Sequence, residues 1–113
     1  MAGFFVRKYQ RLEKLVPVRY LMDGAAGEGI IKDLSLTGSR ITGNAWVCVG
    51  MVLTLQILVP GDPEPLLIDR ATVKWIKGSE FGVVFDTPKP KVAERMSIII
   101  STLVTQQHGS LRV

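Results

Sequence analysis

The chain has 113 residues, 47% of them hydrophobic and 21% charged, and a formal net charge of +4. This composition suits one globular domain with a modest core and excludes a disordered chain. A single cysteine, Cys48, excludes an internal disulfide, and no Cys and His cluster has metal-ligand spacing.

The front of the chain carries Arg7, Lys8, Arg11, Lys14 and Arg19 against Glu13 alone, whereas the remaining residues hold nine basic and nine acidic side chains. All the excess positive charge therefore lies in residues 1–20. A cationic segment on a neutral body predicts a small anionic partner, not a nucleic-acid polymer, whose footprint would spread over a face. The opening MAGFFVRKYQR lacks the apolar core of a leader peptide. Residues 1–15 read as a basic segment preceding the folded body.

Val16 to Met22 alternates as a first strand, which the Gly-rich stretch from Gly24 to Gly29 is expected to end. Ile30 to Lys32 and Ser39 to Thr42 are two short strands. Met51 to Val59 is a longer apolar one, and Pro60-Gly61-Asp62-Pro63 a turn. The apolar run from Ala45 to Pro60 is too short to cross a bilayer and is broken by Gly50, Thr54 and Gln56. No membrane span is expected, and the expected location is the cytoplasm.

Leu66 to Ile76 is a fifth strand, joined through a hairpin at Lys77-Gly78-Ser79-Glu80 to a sixth, Phe81 to Phe85. Six short strands at this spacing predict an antiparallel barrel, a mostly β fold. After Pro88 and Pro90 the period changes: Val92, Met96, Ile99 and Leu103 lie on one helical face, which Ile98 and Ile100 broaden. That helix is expected to cover the barrel, giving a body over residues 16–105 and a flexible tail over 106–113.

Two motifs stand out. Arg7 and Arg11 form R-x-x-x-R, and twenty-two residues after Arg11 comes D-x-S-x-x-G, with Asp33, Ser35 and Gly38 in the stretch KDLSLTG. A guanidinium is a planar fork of donors that pairs with phosphate, or with the O6 and N7 acceptors of guanine. A carboxylate accepts from the N1–H and N2–H2 edge of guanine. Ser35 can donate to an oxygen or close a turn, and Gly38 permits a tight turn and close ligand approach. Each motif also has a plain reading: a solvated basic tail, and an Asx or Ser turn that can still present its aspartate. Arg40 is a surface cation or a further ligand contact. Trp75 shares an alternating face with Val73, which places it in the core; a ring at the barrel mouth, edge-on to a base, is the other reading. There is no nucleophile–base pair, metal set or phosphate loop, so no enzyme is expected.

Together RKYQR, DLSLTG and VKWIKGSEFGVVF resemble a PilZ domain, from about Arg7 through Phe85. The resemblance implies a six-stranded antiparallel β-barrel and binding of the bacterial second messenger cyclic di-GMP. It implies that Arg7 and Arg11 clamp guanine and phosphate groups and that Asp33, Ser35 and Gly38 hold the guanine, with Arg40 and Trp75 as further candidates. It implies no cofactor, and signalling through a downstream protein partner in processes such as motility or biofilm formation. Many members carry an arginine directly before the first of the pair; here that position is Val6. The alternative is a PilZ-like interaction module of pilus or motility complexes that takes no nucleotide, but such modules typically lack one or both motifs. A small barrel for single-stranded nucleic acid would need stacking aromatics along a basic groove, and aromatics are 7% of the chain.

Overall fold

The computed structural model describes residues 10–86 and 89–109. Among these residues the order is β1 (Gln10–Met22), β2 (Ala25–Leu34), β3 (Gly38–Gly43), β4 (Val52–Ile57), β5 (Leu66–Lys77), β6 (Glu80–Phe85) and α1 (Pro90–Gly109). Every strand pairing is antiparallel, and the sheet closes on itself in the order β1-β2-β3-β6-β5-β4, with β4 returning to β1. The barrel read from the alternation is the barrel observed, with one helix after it.

The alternation sets the core. Val16, Val18 and Tyr20 of β1, Leu53, Leu55 and Ile57 of β4, and Phe81, Val83 and Phe85 of β6 all point inward and are buried. Full burial of such side chains stabilises by about 1.5–3 kcal/mol each. The Tyr20 ring meets Phe81 edge-on, with centroids 5.3 Å apart, and its hydroxyl accepts from the Ala45 amide at 3.0 Å. A buried tyrosine needs such a partner.

The Gly-rich stretch does not end β1 in a loop. Met22 faces Ala25 across a two-residue Asp23-Gly24 turn, and Gly27 and Gly29 lie inside β2. Asp-Gly is a strong hairpin signal. Gly27 serves a different purpose: it is the cross-strand partner of Tyr20, and a Cβ there would collide with the tyrosine ring. Gly27 makes room for an aromatic and Gly29 for the neighbouring backbone at Thr42, and neither breaks the strand.

The helix packs against β1 and β5. Met96 and Ile99 are buried, and Val92 and Ile100 are packed against the core. Ile98 does not broaden that face: it is 62% exposed, because two residues past Met96 is roughly 200° around the helix. Arg95 ties the same helix to the β4–β5 loop, donating to the Pro65 carbonyl and to Asp62 Oδ2, each at 3.0 Å, and to the Glu64 carbonyl. Among the described residues no helix is long and apolar enough to cross a membrane.

Candidate functional site

The stretch from Asp33 to Gly38 is a turn, and Ser35 closes it. The Ser35 amide donates to the Gly38 carbonyl at 3.0 Å. Its Oγ accepts from the amides of Thr37 and Gly38 at 3.1 and 3.2 Å. Ser35 is 8% exposed, and its hydroxyl is committed to the loop. One residue beyond the loop, Ser39 Oγ donates to the Asp33 carbonyl at 2.8 Å. The Asp33 backbone is thus held from β3, and its carboxylate projects from a fixed base.

That carboxylate meets Arg40. The Arg40 Nε donates to Asp33 Oδ2 at 2.7 Å, and the neighbouring Nη1 approaches Glu80 Oε1 at 3.4 Å. The Asp33 hydrogen bond, helped by attraction to both carboxylates, raises the Arg40 pKa above its already high ordinary value in spite of partial burial. The cation is permanent. Asp33, Arg40 and Glu80 form an ion triad spanning β2, β3 and β6, with side chains 19%, 30% and 33% exposed.

The strand register places this triad in a longer row. Arg11 of β1 faces Asp33 of β2, Asp33 faces Arg40 of β3, Arg40 faces Gly82 of β6, and Gly82 faces Trp75 of β5. Asp33, Arg40 and Trp75 share one face of the sheet along this row. Gly82 has no side chain, and the Trp75 indole lies over it: a Cβ on Gly82 would collide with Trp75 Nε1. Asp33, Arg40, Trp75, Gly82, Val84 and Lys74 line a cavity of about 200 Å3 on the outer wall of the barrel.

Two irregularities turn this row outward. Strict alternation would put Asp33 on the face of Ile31, and Trp75 on the face of Val73. Ile31 and Val73 are buried, at 1% and 0% exposure. The β2–β3 register shifts between Ile31 and Asp33, and the β5–β6 register between Val73 and Trp75. Each extra residue reverses the phase of its strand. Trp75 is consequently 41% exposed, at the cavity and not in the core where alternation with Val73 places it. A third shift, between Arg11 and Val16 of β1, borders the row on its other side.

Of the residues singled out from sequence, Asp33, Arg40 and Trp75 come together at one cavity, with Gly38 and Ser35 shaping the loop beside it. Ser35 itself lines a separate recess between the loop and α1, with Ser97 and Ser101. Arg11 is placed by its position in the β1 ladder, beside Asp33; Arg7 lies outside the described residues. Sequence reasoning missed Glu80, read only as a hairpin residue, and Lys74, read as one more strand position. Neither carried a motif. Among the described residues no three His, Cys, Asp or Glu side chains gather as a metal set.

The family model described as the PilZ domain matches residues 5–100, and the chain belongs to the PilZ domain family, a family of cyclic di-GMP receptors and adaptors. No protein of curated function matches it in sequence. Among solved structures, it is similar to the PilZ domain of CeSA from a cellulose-synthesizing bacterium, with TM-score 0.60 and 14% identity over 88% of this chain and 99% of that one. It is also similar to the Bacillus subtilis inhibitor of motility, MotI/DgrA, with TM-score 0.68 and 15% identity over 95% of this chain and 54% of that one. At these identities the likeness is one of fold.

Proposed function

We propose that this chain is a receptor for cyclic di-GMP, acting in the bacterial cytoplasm without catalysing a reaction, and that it signals by presenting an altered surface to another protein. The row Arg11–Asp33–Arg40–Gly82–Trp75 carries this reading. It sets a carboxylate acceptor, a guanidinium donor and an aromatic ring around one cavity, which is the chemistry of a guanine base. The described members of the ion triad and Lys74 balance in charge. The net charge that steers a dianion to this wall therefore comes from the front segment, where Arg7, Lys8 and Arg11 lie.

Arg11 already stands opposite Asp33 in the β1–β2 ladder, and binding draws Arg7 onto the barrel to join it. Ordering the segment costs about 1–2 kcal/mol per residue in backbone entropy. Charge-assisted hydrogen bonds at about 1.5–3 kcal/mol each offset this. The motility inhibitor among the structural neighbours is in keeping with an output made through protein contact.

One observation favours the alternative, an interaction module that takes no nucleotide: Arg40 already pairs with the carboxylate that guanine would use. Calorimetric titration with cyclic di-GMP separates the two. A receptor gives saturable heat that Arg11→Ala removes without lowering the melting temperature. Absence of heat from the wild-type chain selects the module.

A further inference from the structure

We propose that Lys74 binds a phosphate group of the cyclic dinucleotide from the lip of the Asp33–Trp75 cavity; this rests on the nucleotide reading above. Lys74 is the extra residue of the β5 irregularity: Val73 faces Val83 and Trp75 faces Gly82, leaving Lys74 without a partner of its own. A bulge re-aims a side chain, and here it brings Lys74 to the same cavity as Trp75. Two consecutive β5 residues, both exposed, thus serve one site.

The other cation at that cavity is differently engaged. Arg40 is held by two carboxylates, so its charge is already answered. Lys74 makes no ion pair among the described residues. Its ammonium is a compact point charge on a flexible stem, suited to a phosphate.

The cavity size indicates which part of the ligand meets it. At about 200 Å3 it is smaller than the roughly 300–1,000 Å3 of whole small-molecule sites. It takes one ring system, stacked by Trp75, and leaves the charged backbone of a dinucleotide at the lip. There the dianion needs a cation, and the barrel wall offers Lys74. This contact is preformed, unlike one from the front segment, so it carries no cost of ordering backbone.

Calorimetry with cyclic di-GMP, on the full chain at low and high salt, tests this with wild type, Lys74→Ala and Lys74→Arg. The expected result is about tenfold weaker binding by Lys74→Ala, with a shallower salt dependence, near-wild-type binding by Lys74→Arg, and equal melting temperatures. If wild type binds and Lys74→Ala matches it in affinity and salt dependence, the phosphate role is overturned while the receptor reading stands. Failure of arginine to restore binding overturns it equally. If wild type itself gives no saturable heat, the nucleotide reading falls and takes the role of Lys74 with it.

Discussion

Gly82 separates Arg40 from Trp75 in the cross-strand row, and the Trp75 indole fills the space a side chain would take. Gly82→Ala must push that ring away. The obstructing atoms belong to a side chain that can rotate, so the fold survives, at a cost of about 0.5–1.5 kcal/mol for an off-rotamer ring. In a Trp46→Phe background, where Trp75 is the remaining tryptophan, Gly82→Ala is expected to shift the tryptophan emission to longer wavelength and to weaken dinucleotide binding. Unchanged emission would remove the indole from the site. Ser35 is the contrasting case. The spacing of Ser35 and Gly38 is legible as a turn, and the structure shows the serine spending its hydroxyl on that turn. The motif is half scaffold: Ser35 and Gly38 shape the loop, and Asp33 faces outward from it.

At the level of elements, the six strands and the helical face at Val92, Met96 and Ile99 follow from periodicity, because a buried face imposes its repeat on the sequence. The site follows from breaks in that periodicity. The register shifts before Asp33 and Trp75 leave no mark in composition, so alternation alone assigned Trp75 to the core. Glu80 and Lys74 were invisible for the same reason: their roles come from register and not from local pattern. The helix adds a second case. Asp62 accepts from the Glu64 amide and from Arg95, and these two bonds, the amide first, lower its pKa below the ordinary 3.8. A carboxyl lowered on folding stabilises fully above its unfolded value, and the effect is lost as pH falls through the lower folded value. Asp62→Asn is therefore expected to be less stable than wild type at neutral pH. In urea unfolding followed by circular dichroism, that difference should close on acidification below 3.8. A difference independent of pH would show that the Asp62 charge does not help hold α1.

For the molecule as a whole, the first cations of the chain precede its first buried positions. Arg7 and Lys8 lie in residues 1–9, while Val16, Val18 and Tyr20 of β1 are buried in the core. Removing residues 1–9 takes away Arg7 and Lys8 and leaves those core positions in place. The shortened chain is expected to keep a cooperative thermal transition and to bind cyclic di-GMP about tenfold more weakly or worse, the loss of at least one charge-assisted contact. Retained affinity would show that Arg7 and Lys8 are not part of the site; loss of the transition would show that residues 1–9 support the fold.

Because β4 returns to β1, the cylinder has no first or last seam. Opening it anywhere loosens two neighbours at once, so it is built to give way as a unit. A compound seated on one stretch of the wall, such as the cavity between β2 and β5, would thus strengthen the entire hoop, and by mass action on the folded form would delay its collapse on heating. A heat scan would then report the arrival of a molecule although it is blind to where on the wall that molecule lands.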